Sequence, residues 1–115
     1  MVEAMRRILA VLAAATLALS ACAQEIALPD DADDELRSGA EVFRERCARC
    51  HGPDGGGGIG KSLRGVTERL TDEEQLELIM NGKGTMPRFD AVLSDADTAA
   101  VIRYTREVLS GPPEE

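Results

Sequence analysis

The stretch Cys47-Ala48-Arg49-Cys50-His51 decides how the rest of this chain is read. Two thiols three positions apart, with an imidazole directly after them, form the pattern of a c-type haem attachment site. The chemistry sets the spacing. Each thiol adds to one of the two vinyl groups of a porphyrin, and two intervening residues let both sulfurs reach along that edge. The next residue then lies beneath the iron, where a ring nitrogen can act as proximal ligand. His51 is the only histidine in the sequence, so no other imidazole competes for that role. The expected cofactor is one haem c, held covalently by Cys47 and Cys50 and ligated by His51.

The residues before the motif supply a helix. Leu36, Ala40, Phe43 and Cys47 recur at 4-3-4 spacing and form one apolar stripe. Acidic residues at its start and Arg44, Arg46 and Arg49 at its end suit the helix dipole. The spacing predicts a helix from Asp33 or Asp34 to about Cys47, with Gly52-Pro53 ending the turn that carries the motif.

Further upstream, Arg6 and Arg7 precede an apolar run over residues 8–19, and small residues follow. This is the pattern of a secretory signal over residues 1–21, with an apolar run too short for a transmembrane helix. Export, to the periplasm in a bacterium, is therefore expected. The third cysteine, Cys22, follows Leu19-Ser20-Ala21 in the manner of a bacterial lipobox and is read as a lipid attachment site that anchors the chain to a membrane. Cleavage after Ala23 is the competing reading. Residues 22–34, acidic and carrying Pro29, read as a tether, residues 35–111 as the domain and residues 112–115 as a tail.

The formal charge is −8, and removing Glu3, Arg6 and Arg7 with the leader makes the remainder −9. Such acidity excludes nucleic acid as a partner. Aromatic residues make up only 3% of the chain and Trp is absent, so a domain this small has little apolar core of its own. A buried haem would complete that core. Against the acidic background, the segment from Arg44 to Arg64 holds Arg44, Arg46, Arg49, Lys61 and Arg64 against Glu45 and Asp54. Lys83 and Arg88 lie further on. A locally basic haem-edge surface that steers toward an acidic partner is the expectation, with ordinary solvated charges as its alternative.

Residues 52–65 form a glycine-dense loop. Gly55 to Ser62 satisfies G-x-x-x-x-G-K-S, the phosphate-loop pattern, in letters only. That loop needs a buried strand before it, and here Cys-His-Gly-Pro-Asp precedes it, so no nucleotide is expected. Beyond the loop, Thr71 and Glu74 make a capping box for a second helix, with Leu76, Ile79 and Met80 as its apolar face and Asn81-Gly82 as its end. Ser94 and Asp97 begin a last helix to about Leu109, with Val101, Tyr104 or Thr105, and Val108 facing inward. No strand signal and no repeat appears.

A haem with one imidazole needs a second ligand or remains open on its other face. With no further His, a thioether is the candidate. Met1 and Met5 belong to the leader, and Met80 is spaced as a core residue. Met86, between Gly84 and Pro87 in an irregular loop, is the expected ligand; its alternative is a hydrophobe over an open site.

Cys-x-x-Cys-His at the end of a first helix, a glycine-rich loop, and Gly-x-Gly-x-Met-Pro before a last helix together resemble a small bacterial class I cytochrome c over about residues 35–110. The resemblance implies an all-α fold of three to four helices around one haem, with the first and last helices crossing where Gly39 and Phe43 meet Tyr104. It also implies that the carbonyl of residue 61 accepts the second N–H of the proximal His. Members commonly carry Pro there; Lys61 keeps the carbonyl and loses the stiffening ring. The function implied is one-electron transfer between a donor and an acceptor redox protein, such as a membrane-bound oxidase or dehydrogenase, without enzyme activity of its own. Three other readings are weighed against it: an open-faced haem enzyme or gas-binding protein, an electron-transfer subunit of a larger oxidoreductase, and a dithiol or metal site built on Cys-x-x-Cys.

Overall fold

The structure, a computed structural model, describes residues 1–7 and 26–111. The apolar run of the leader, Cys22 and the tail at 112–115 lie outside the described residues. The domain is helical: α1 (Asp34–Arg46), α2 (Ala48–His51), α3 (Val66–Arg69), α4 (Asp72–Asn81) and α5 (Asp95–Tyr104), which continues as a π-helical turn (Thr105–Leu109). Among the described residues the only β pairing is an isolated bridge between Lys83 and Met86.

Side-chain caps set where the three longer helices begin. The Asp33 carboxylate accepts from the Leu36 amide at 2.9 Å, and Ser94 Oγ accepts from the Asp97 amide at 3.1 Å. At α4 the capping box is complete: Thr71 Oγ1 accepts from the Glu74 amide at 3.2 Å, and Glu74 Oε2 accepts from the Thr71 amide at 2.8 Å. Each cap is worth about 1 kcal/mol. Gly82, at φ 71°, closes α4 with its N–H on the carbonyl of Leu78.

The core lies where α1 crosses α5. Leu36, Phe43, Val101, Tyr104 and Leu109 are buried together, and the Phe43 and Tyr104 rings sit 5.6 Å apart in a tilted pair. Backbone approach is closest at Gly39, where a Cβ would lie 2.1 Å from the carbonyl oxygen of Ala100. No side chain fits there, as the resemblance implied. Arg103 joins the same two helices from outside, reaching Asp33 at 2.8 Å and Glu35 at 3.0 Å.

The structure departs from the sequence reading in four places. First, α4 does not bury Leu76, which is 43% exposed; Gln75 is 6% exposed instead. Gln75 Nε2 donates to Thr105 Oγ1 at 2.8 Å, and this polar contact turns the helix by one residue, about 100°, from the face that apolar spacing selects. Second, the last helix is not α-helical throughout. Thr105–Leu109 is a π turn, and the deeper inward position after Thr105 is Leu109, fully buried, with Val108 only partly so. Third, the short helix α3 interrupts the connection before α4; Gly65, at φ 66°, precedes it and Val66 is buried. Fourth, part of the stretch read as a tether lies on the domain: Ile26 and Leu28 pack against the core and Ala32 belongs to it.

Candidate haem site

One helical turn assembles the attachment motif. Cys47 closes α1, its N–H on the carbonyl of Phe43, and begins α2. Its own carbonyl accepts from Cys50 at 3.1 Å and from His51 at 3.0 Å. Residues i, i+3 and i+4 share a helix face, so both thiols and the imidazole are set on one side of one turn. Cys47 and Cys50 are free and half-buried. Burial, and then the neighbouring Cys50, push the Cys47 thiol up to about 11, so it stays protonated near neutral pH.

Gly52, at φ 82°, ends the turn with its N–H on the carbonyl of Ala48. The glycine loop then folds back over the motif. Gly57 donates to the His51 carbonyl and Gly60 to the Cys50 carbonyl, both at 2.7 Å. The amides of Gly55, Gly56 and Gly58 go to Gly52 O, Asp54 Oδ1 and Gly60 O. These amides are spent on the chain's own oxygens, which is the opposite of a phosphate cradle.

The fold-back brings the Lys61 carbonyl to 2.8 Å from His51 Nδ1. A carbonyl only accepts, so Nδ1 carries the proton and Nε2 keeps a free lone pair for a metal. Gly60 sits edge-on to the same ring: a Cβ there would lie 2.9 Å from His51 Cε1 and 3.0 Å from Nδ1. Sequence reasoning missed this contact, because one glycine in a run of glycines gives no local signal of its own.

Met86 stands at the end of a two-residue turn. Lys83 and Met86 exchange backbone hydrogen bonds at 3.0 and 3.1 Å, and Gly84 takes the positive φ, 59°, that such a hairpin needs. The hairpin is seated on α4. At Gly82 a Cβ would lie 2.6 Å from the Met86 carbonyl oxygen, and the Phe89 amide donates to the Ile79 carbonyl at 3.0 Å. Met86 and Met80 are both half-buried.

This donor set fits a covalently attached haem: two free thiols, an imidazole with Nε2 available, and a thioether on a defined turn. Among the described residues no group of three or more His, Cys, Asp or Glu converges as a metal cage, and no helix is long and apolar enough to cross a membrane.

Comparison with known proteins agrees with the geometry. A family described as cytochrome c oxidase, cbb3-type, subunit III matches residues 34–104, more than half of the chain. Cytochrome c6 of Euglena viridis is 37% identical over 83 residues, covering 65% of this chain and 94% of that protein. Cytochrome c-551 of Bacillus subtilis (strain 168) is 26% identical over 100 residues, covering 82% of this chain and 88% of that protein. Among solved structures, the c-type cytochrome XoxG from Methylobacterium extorquens AM1 superimposes with a TM-score of 0.58 at 26% identity, covering 72% of this chain and 60% of that one. The chain thus spans less than two thirds of that structure's length. Covalently bound haem c and electron transfer are common to these cytochromes, and Cys47, Cys50 and His51 form the motif that attaches such a haem. The chain belongs to the family described as cytochrome c oxidase, cbb3-type, subunit III, and is a small class I cytochrome c, a haem-based electron carrier.

Proposed function

We propose that this chain is exported and carries single electrons between redox proteins, its haem c attached through Cys47 and Cys50 and ligated by His51 and Met86. The observation that carries this reading is the 2.8 Å contact between His51 Nδ1 and the Lys61 carbonyl, which leaves Nε2 free on the same turn as two unpaired thiols. When bound, the haem supplies one iron that changes oxidation state by a single electron. The chain's own residues hold and tune it. The Lys61 carbonyl makes the imidazole a better donor, and the Lys83–Met86 hairpin presents the thioether. Thioether ligation and burial favour the reduced state, so the potential lies toward the positive end for haem. No side chain has to move a proton.

The test is a redox titration with optical spectra of the exported holoprotein, beside Met86→Ala. The parent is expected to show the charge-transfer band of thioether-ligated ferric haem; the variant loses the band and its potential falls. Spectra indifferent to Met86 would remove the proposed ligand set, and ready carbon monoxide binding by the reduced parent would favour an open-faced haem protein.

The family description supports a second reading, in which the domain serves as the electron-transfer subunit of a membrane oxidase. Recovery in one complex with haem-containing membrane subunits, after mild solubilisation of the native membrane, distinguishes it from a free carrier. Anchoring through lipid on Cys22 belongs to either reading and suits delivery at a periplasmic membrane surface. Cys22→Ala should release the protein from membranes, and the mature N-terminus should gain the mass of acyl chains.

A further inference from the structure

The supports of the two residues that would hold the iron, His51 and Met86, meet at the π turn. On the side of the glycine loop, which holds Lys61 against His51, a Cβ at Gly55 would lie 3.0 Å from Leu109 Cδ1. Gly65 donates to the Ser110 carbonyl at 2.6 Å, and the hydroxyls of Thr67 and Ser110 are 3.1 Å apart. On the other side stands α4, the mount of the Met86 hairpin. Gln75 is the one buried residue of α4, and both polar atoms of its side chain are hydrogen-bonded. Its Nε2 donates to Thr105 Oγ1, and its Oε1 accepts from Arg106 Nη1 at 3.2 Å. Thr105 Oγ1 donates in turn to the Ile102 carbonyl at 2.8 Å. Arg106 also binds the Leu70 carbonyl at 2.9 Å and Asp72 Oδ1 at 2.8 Å.

We infer that Gln75, Thr105 and Arg106 are positioning residues for the Met86 thioether, holding α4 and its hairpin at one place on the π turn. The proposal rests on the reading of Met86 as a ligand. Its physical basis is that the one fully buried residue of α4 docks through a satisfied polar network, with Ile79 packed on the core one turn further on. Hydrogen bonds fix a helix in register and rotation, whereas apolar contacts tolerate sliding, and a buried network with one member missing leaves its partners unpaired. From Gln75 to Met86 the connection is stiff: six further residues of helix, the crowded Gly82, the closed Lys83–Met86 pair and the Phe89–Ile79 bond. A loosened Gln75 is therefore felt at the sulfur.

The experiment is an imidazole titration of the ferric holoprotein, followed through the thioether charge-transfer band. Gln75→Leu and Thr105→Val remove the network's polar atoms with little change of size, and Thr105→Ser keeps the oxygen. Gln75→Leu and Thr105→Val are expected to bind imidazole roughly tenfold more tightly, with covalent haem and helical circular dichroism retained, while Thr105→Ser titrates like the parent. Should Gln75→Leu fail to fold, the Thr105→Val and Thr105→Ser pair still decides. Parent-like titration by the Val and Leu variants overturns the proposal. A parent that lacks the band and matches Met86→Ala removes the ligand reading, and the proposal with it.

Discussion

His51 Nδ1 and the Lys61 carbonyl oxygen lie 2.8 Å apart, so the imidazole is oriented by a backbone group that any residue at position 61 could supply. What the bond requires is the path of the loop, and Gly60 sets that path. Lys61→Pro should leave the spectrum and potential close to the parent's. Gly60→Ala puts a methyl 2.9 Å from the ring, which must turn the imidazole or lengthen the bond. The poorer donor stabilises the ferric state less, so the potential should rise and the paramagnetic shifts of the haem methyls should change. Redox titration and proton NMR of the two variants check this.

Gly39→Ala tests the helix crossing. The obstacle is the backbone carbonyl of Ala100, 2.1 Å from the new methyl, and backbone cannot swing aside as a side chain can. A loss of about 3 kcal/mol, the upper end of ordinary overpacking, is expected from denaturant unfolding of the holoprotein.

Burial ranks two neighbouring positions at the end of the last helix. Leu109→Ala should cost about 2–5 kcal/mol, as for a fully buried leucine. Val108→Ala, at a partly buried position, should cost clearly less. Comparable losses at the two sites would contradict this difference in burial.

Asp33 should make stability fall in acid. Its carboxyl is held below the usual carboxylate range by the Leu36 amide and then by Arg103. A depressed group contributes fully above its unfolded value, about 3.9, and the contribution disappears as pH drops through the lower folded value. Asp33→Asn keeps a capping oxygen but does not titrate, so its stability should change less than the parent's below about pH 4. Urea midpoints measured across that range test the difference.

The basic surface is narrower than the composition suggests. Arg44 pairs with Glu41, Arg64 with Asp54 and Arg88 with Asp90. Arg46, Arg49, Lys61 and Lys83 are exposed and make no ion pair among the described residues. If these four steer docking, reversing Arg49 and Lys83 should slow electron delivery at low salt and flatten its dependence on ionic strength, while reversing Arg88 should do little. Equal salt slopes for all variants would assign the four charges to solvation alone.

Much of this protein was legible in its sequence because the relevant rules are local. Cys47, Cys50 and His51 fall on one turn by helical spacing alone, and Thr71 with Glu74 caps α4 because both partners lie within four residues. Gly84 takes the hairpin's positive φ for a reason contained in its own backbone. Tertiary structure decided what depends on distant segments meeting. Gln75 displaces Leu76 from the interior because Thr105, thirty residues away, offers a hydrogen bond, and apolar periodicity cannot register a polar partner. Leu109 is buried more deeply than Val108 where the glycine loop comes against it at Gly55, and Gly60 acquires its place against His51 only when the loop closes. The sequence by itself determined which atoms can hold a haem; the packing of α4 and the glycine loop on the last helix decided how firmly those atoms are held, because rigidity is a property of contacts that no single segment contains.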